Sequence, residues 1–446
     1  MPLFANAAAM DITPQDPQFL DGYPHVKRIS NGVDTPLFAS ALYLENGPGK
    51  HLLISLDLLF VEKVWGNRIR EELSRATGLR QEQITLCATH THSAPSVRDG
   101  FPFYHENPER SPDPAYIERL VRITVAAGTR AAGNAVPAEI AHTRARAAGL
   151  GGNRRNPDGP SQDSVPVLYV RHARTRRPLA LMWTASIHPT VLHEDSPRVS
   201  GDFPGHCRAR LQELLGPVPM LHCTGAAGNQ SPRHVTRSNT PEEARRLGHL
   251  LAQHIAETLS VAEFDSDPLL QQRREFATPP LRRFPGVEEA AAHEKQAKIH
   301  FQTLRDSRHD RAVVRTAECD WFGAIRLLQY AKLQAGGTLE ARTWANLFPM
   351  EIQALRIGSR SLVFWPGEVF VEFALELERE FPGTQVITYA NGNSQGYLVT
   401  REAAEEGGYE ASSATLLSPE SPELFLEISR QLLRTFPCNP QPRHES

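Results

Sequence analysis

Several short apolar runs in this chain stop abruptly in polar segments bearing histidine or glycine, and no other feature constrains the fold as tightly. Gln83–Ala88 leads into Thr89–Pro95, Leu179–Ile187 into His188-Pro189, and Val218–His222 into Gly225–Arg233. Ser361–Trp365 leads into Pro366-Gly367-Glu368, and Gln385–Tyr389 into a loop that reaches Tyr397. Runs of this length bounded by turn residues read as strands. Ligands of α/β sheets bind at the carboxyl ends of strands, so these segments are expected to converge on one mouth.

The segments between the runs carry helical signals. Leu37–Leu44 and His51–Leu58, separated by Asn46-Gly47-Pro48-Gly49, predict a hairpin. Val61–Thr77 predicts a helix stopped by Gly78. Asp113-Pro114 predicts an N-cap with proline at the first helical position, opening a helix to about Ala131. Thr240-Pro241-Glu242-Glu243 reads as a capping box. A further helix is expected from Glu368, with the glutamate as dipole partner, and another over Pro422–Thr435. Asp265–Arg315, with paired arginines and then a Glu/Lys/His-rich stretch, reads as a solvated helical insertion. The expected architecture is α/β: one large domain spanning 1–446, with mixed β-sheets flanked by helices.

Composition narrows the function classes. With 446 residues, 40% of them hydrophobic and 22% charged, the chain has ample material for an enzyme-like core. A net charge of −3 provides no basic field for nucleic acid. The longest apolar stretch, Leu52–Val61, is interrupted by Ser55 and Asp57, so no stable membrane insertion is expected. Five scattered cysteines (Cys87, Cys207, Cys223, Cys319, Cys438) suggest neither a disulfide framework nor a CxxC metal knot. The opening MPLFANAAAMDITPQ lacks a basic segment and has only a short apolar run, so a cytoplasmic location is the expectation. Nothing in the sequence signals an oligomeric state.

Chemistry concentrates at the strand ends. In an extended backbone His90 and His92 would project together, either as metal ligands or as a hydrogen-bonded pair at a loop mouth. His188, held extended by Pro189, is a second ligand candidate or a satisfied loop histidine. Asp202 reads as a cap or supporting carboxylate. The small residues of Gly225–Gly228 suit close approach to a ligand, and Ser231 offers either a substrate-facing hydroxyl or a surface serine. The segment is neither a phosphate loop nor a G-x-S-x-G elbow.

Taken in order, Asp11-Ile12-Thr13-Pro14, Gly22-Tyr23, Ser55-Leu56-Asp57, Ala88-Thr89-His90-Thr91-His92-Ser93, Asn153-Arg154-Arg155, His188-Pro189, Gly225–Pro232, Gly367-Glu368, Tyr397 and Tyr409 resemble the amino-terminal catalytic domain of the neutral/alkaline (non-lysosomal) ceramidase family. The resemblance covers nearly the whole chain. It implies hydrolysis of a linear amide in an N-acyl compound, lipid or small molecule, and one Zn²⁺ held by His90, His188, Glu368 and Tyr397. It also implies hydrogen-bonding roles for His92, Arg154 and Tyr409, an active-site role for Ser231, and substrate contacts at Gly22 and Asn229. Two departures are visible. The family's serine loop reads G-D-V-S-P-N, whereas this chain has Gly228-Asn229-Gln230-Ser231-Pro232-Arg233, with a carboxylate lost and a cation gained. The chain also ends about where the family's immunoglobulin-like domain would begin. A zinc-dependent esterase or amidase on a small soluble substrate, and a non-catalytic metal-binding relative, are the alternative readings.

Overall fold

The computed structural model describes residues 1–23, 26–98, 112–394, 396–413 and 415–437. Gln395 and Cys438 lie outside the described residues. The first half runs β1 (Phe4–Asp11), β2 (Phe38–Asn46), β3 (Gly49–Leu56), α1 (Lys63–Thr77), β4 (Ile84–Ala88), α2 (Pro114–Gly133), β5 (Val136–Arg146), β6 (Gly152–Asn153), β7 (Ser164–His172), β8 (Pro178–Ala185), α3 (Asp202–Leu215), β9 (Met220–Thr224) and β10 (Gln230–Ser231). The second half continues α4 (Pro241–Leu259), β11 (Leu270–Ala277), α5 (Val287–Asp306), α6 (Arg311–Ala335), α7 (Leu339–Asn346), β12 (Met350–Ile357), β13 (Arg360–Phe364), β14 (Glu368–Val369), α8 (Val371–Glu380), β15 (Thr384–Ile387), β16 (Tyr397–Leu398), α9 (Arg401–Glu406) and α10 (Ser421–Arg434).

An eight-stranded mixed sheet has the order β4-β3-β2-β1-β5-β7-β8-β9, and a four-stranded mixed sheet the order β11-β12-β13-β15. The expected mixed α/β architecture is therefore present. Helices α1 and α2 pack on β1–β4 through Ile69, Leu73, Leu120 and Val121, while α3 and α4 pack on β7–β9 through Leu211, Leu247, Leu251 and Ile255. The large sheet is curled enough for its two ends to meet: the Ser55 hydroxyl on β3 donates to the His222 carbonyl on β9. Cys87 on β4 and Cys223 on β9 stand 3.6 Å apart, sulfur to sulfur. This curl brings the loops after β4, β8 and β9 to one end of the molecule. No helix among the described residues is long and apolar enough to cross a membrane.

Local signals succeed where the chain itself carries the geometry. The hairpin forms between β2 and β3. Gly78 ends α1 with φ 72°, a left-handed conformation that suits glycine. Asp113 caps α2 by accepting from the Ala115 amide. Other expectations need correction. The Thr240 side chain makes no cap bond; its hydroxyl meets that of Ser238, and Glu243 is engaged by Arg237 and Arg246, so no capping box forms. Glu368 does not open a helix: it lies in β14, paired with β16, and α8 begins at Val371. Within Asp265–Arg315 the chain is not simply helical, since β11 pairs along its whole length with β12 and only then gives way to α5 and α6.

Candidate active site

The strand ends are tied together by backbone groups and threonine hydroxyls. The Thr224 hydroxyl donates to the Thr89 carbonyl, joining the ends of β9 and β4 (2.7 Å). The Thr388 amide donates to the Thr224 carbonyl, bringing in the chain after β15 (2.9 Å). Tyr389, next along, stacks flat on the His90 ring, with centroids 3.8 Å apart. His90 and His92 do meet, but not by strand alternation. His90 has φ 61°, and its amide donates to the Leu58 carbonyl, so a left-handed residue after the end of β4 turns the pair inward.

Each ring is fixed by its Nδ1. His90 Nδ1 donates to the Leu59 carbonyl (2.9 Å), and His188 Nδ1 to the Ala227 carbonyl (2.6 Å). A carbonyl only accepts, so both rings carry their proton on Nδ1 and turn the Nε2 lone pair inward. Those lone pairs face a carboxylate. Glu368 Oε2 is 3.2 Å from His188 Nε2 and 3.6 Å from His90 Nε2, and His92 Nε2 is 3.2 Å from His90 Nε2. The ligand nitrogens of His90, His92 and His188 all lie within 4.8 Å of one another. His90 and His188 are 1% exposed and Glu368 5%.

Buried acceptors facing each other at these distances need a proton or a cation between them. Ligand atoms bonded tetrahedrally at about 2.0–2.1 Å stand about 3.3 Å apart, close to the 3.2 and 3.6 Å that separate Glu368 Oε2 from the two histidine nitrogens. The electrostatics agree. Burial and the Arg154 charge lower the His188 pKa to about 4, leaving the ring neutral. Burial pushes the Glu368 carboxyl upward, and only positive charge or protons at the His188 and His90 Nε2 positions, or a cation in their place, would hold it well below its ordinary range. Neutral imidazoles beside an ionised carboxylate are a donor set suited to zinc.

The other expected residues gather around this cluster. Glu368 and Tyr397 are direct register partners in the parallel β14–β16 pair, so their side chains share one face. The Tyr397 hydroxyl accepts from Arg154 Nη2 (3.0 Å), and burial raises its pKa well above the usual value despite that cation. Arg154 follows β6, which pairs with β10 in the register Gln230↔Asn153 and Ser231↔Gly152; this brings Arg154 and Ser231 to one wall. Ser231 is 4% exposed and is not a surface serine. His90, His92, Arg154, Ser231, Glu368, Tyr397, Tyr409 and Gly22 all line one cavity of about 280 Å³. His188 lies behind that wall. Gly22, at φ 101°, is pressed against His92, where an added Cβ would come 2.6 Å from the His92 Cβ.

Asn229 does not line this cavity. Its amide donates to both Glu372 oxygens and its carbonyl accepts from the Val371 amide, while its backbone carbonyl receives the Arg154 amide. It is occupied in holding α8 and Arg154 in place. Gly228 likewise serves close backbone packing: its amide donates to the Val369 carbonyl at 2.7 Å, and a Cβ there would come 2.8 Å from Val369. Asp202 holds the loop after His188, accepting from the amides of Val191 and Leu192.

Some site residues escape the sequence reading. Glu410 accepts from Arg154 Nε (2.8 Å) and Arg155 Nη1 (3.1 Å), and Asp21 holds Arg98 through two bonds. A single carboxylate in a short polar turn or loop carries no local signal for such a partner. One face of α6 closes the cavity with Arg315, Cys319, Phe322 and Arg326, whose spacing is simply that of one helix face.

No protein-family profile and no curated protein sequence matches this chain. Solved structures do. One is a ceramidase complexed with C2, with a TM-score of 0.74 and 16% identity, covering 97% of this chain and 75% of that one. Another is the neutral ceramidase from Pseudomonas aeruginosa, with a TM-score of 0.74 and 19% identity, covering 98% of this chain and 75% of that one. With its mixed sheets, flanking helices and strand-end cavity, this chain has the fold of the neutral ceramidases.

Proposed function

We propose that the protein is a zinc-dependent hydrolase that cleaves the linear amide bond of N-acyl compounds. The observation that carries the reading is the convergence of His90 Nε2, His188 Nε2 and Glu368 Oε2, with both imidazoles locked in the ligand tautomer by backbone carbonyls. Tyr397 would complete the set, with His92 as its neighbour. A zinc ion in that position supplies Lewis acidity toward the amide carbonyl and toward water.

The chain's own groups do the rest. Arg154 and Tyr409, which line the same wall, are placed to donate to the oxygen that gains charge, an effect worth about 3–4 kcal/mol per well-placed donor. The Ser231 hydroxyl either attacks or orients the carbonyl. His92, whose Nδ1 is buried without a hydrogen-bond partner among the described residues, is held neutral by burial and by its neighbour His90, so it would take the proton released by the attacking hydroxyl or water and pass it to the departing nitrogen. The proposal extends to one catalytic domain over 1–446 and a reducing, cytoplasmic location, supported by free Cys87, Cys207, Cys223 and Cys319.

Elemental analysis of purified protein, paired with N-acyl amides of graded chain length, tests the reading. One zinc per chain and amide turnover are expected. Glu368→Ala should lose both the metal and turnover, and a Glu368→Ala protein that binds zinc fully and remains active would overturn the ligand assignment.

A further inference from the structure

We infer that the cavity accepts an N-acyl amide carrying an anionic group near the scissile bond, and that the Arg233 guanidinium receives that group. The inference rests on the hydrolase reading for the scissile bond, but not for the charge.

The cavity wall is strongly cationic. Arg98, Arg154, Arg233, Arg315 and Arg326 line it, against the carboxylates of Glu368 and Asp310. Glu368 is committed to the histidines, and Asp310 caps α6 by accepting from the Ala312 amide. Three of the arginines are compensated from behind the wall: Arg98 by Asp21, Arg154 by Glu410, and Arg315 by Glu194 and Glu318.

Arg233 differs. Its guanidinium makes a long hydrogen bond, 3.9 Å, to Cys319 Sγ, and no carboxylate among the described residues lies within ion-pair distance. A thiol sulfur is a weak acceptor. Glu410 feels the Arg233 charge, but both of its oxygens are already held by Arg154 and Arg155. Arg233 is only partly buried, faces the cavity, and its own amide reaches Ser231 Oγ at 3.3 Å. An underused guanidinium fork therefore sits two residues beyond the hydroxyl that addresses the amide. Its planar donors match a carboxylate, sulfonate or phosphate, and a neutral amide would leave them without a counter-charge.

The test compares N-dodecanoylglycine, N-dodecanoyltaurine and N-dodecanoylphosphoethanolamine with the neutral N-dodecanoylglycine methyl ester and N-dodecanoylethanolamine. Each compound is assayed for hydrolysis by the zinc-loaded protein. Ketone isosteres with a methylene in place of the amide nitrogen, which cannot be cleaved in this way, are titrated calorimetrically in parallel. The wild type should favour at least one anionic class over its neutral counterparts by about tenfold or more in both readouts. The class with the largest ratio identifies the anion. Arg233→Gln should bring that ratio to within about twofold of one, and Arg233→Lys, which keeps the charge but not the fork, should fall between. A wild type indifferent to charge, or an Arg233→Gln protein that keeps the preference, overturns the inference. If no amide is cleaved while ketone affinity still follows charge and Arg233, the hydrolase reading fails and the anion site stands. If amides are cleaved without regard to charge, the hydrolase reading stands and the anion site fails.

Discussion

The floor and the roof of the cavity are built on different principles. On the floor, His90, His188 and Glu368 are almost fully buried, and backbone groups fix them: carbonyls orient both imidazoles, and a two-strand register sets Glu368 beside Tyr397. The roof is the face of α6 that presents Arg315, Cys319, Phe322 and Arg326, held partly by ion pairs from Arg315 to Glu194 and Glu318. Moving a floor residue requires moving backbone. Changing the roof requires only a different side chain. Under the proposed function, such a division would give the reaction to the floor and the choice of substrate to the roof and the Arg233 wall.

Glu410 offers the hardest blow to that contrast. It is 5% exposed and anchors Arg154, a floor cation bonded to Tyr397. Glu410→Ala leaves Arg154 and part of Arg155 without their counter-charge, and removing one partner of a buried pair typically costs about 3–5 kcal/mol. Urea denaturation should show that loss, with turnover falling because Arg154 is no longer held against Tyr397. A change below about 1 kcal/mol would mean that the floor is held by its backbone alone.

Asp202 tests the floor's support through pH. Burial pushes its carboxyl up to about 6, against the downward pull of the Leu192 and Phe203 amides, the His206 charge and the Val191 amide. An unfolded aspartate titrates near about 3.9, so the folded state holds this proton more tightly. Asp202 then costs nothing below about pH 4, and its cost grows as pH rises through 6, reaching about 3 kcal/mol at neutral pH. The stability difference between wild type and Asp202→Asn should shift by about that amount, against the wild type, between pH 4 and pH 7.5. The opposite slope would show that the amide bonds keep the carboxylate ionised.

The same contrast explains what could be read from the chain. The floor histidines were legible because each closely follows the end of a strand, and α1, α2 and α10 because their stops, caps and apolar faces are local. β1 was not: FANAAAMD is alanine-rich with little intrinsic strand preference, and pairing with β2 along its whole length makes it a strand. β11, LQQRREFA, reads as solvated helix because most of its residues are polar and Arg273, Glu275 and Phe276 are left to water. Read from the residues alone, Glu368 is only a helix dipole partner, and its pairing with Tyr397 came solely from the family resemblance, since a register between two short distant segments leaves no periodicity. Glu410 and the α6 roof depend wholly on tertiary placement, so they left no trace beyond ordinary helix and loop composition.

Arg315 is the gentlest test and the one that separates roof from floor. Its guanidinium lies over the Tyr23 ring, 5.3 Å from the centroid, and pairs with Glu194 and Glu318 without touching the histidine cluster. Arg315→Ala removes a partly buried pair at the cavity edge, for which about 1 kcal/mol of stability is the scale. Loosening α6 over the cavity should raise KM several-fold more than it lowers kcat, because the packing removed is felt equally in the ground and transition states. Zinc content should be unchanged. If kcat falls by about a hundredfold instead, α6 takes part in aligning the reacting groups and the distinction between floor and roof dissolves.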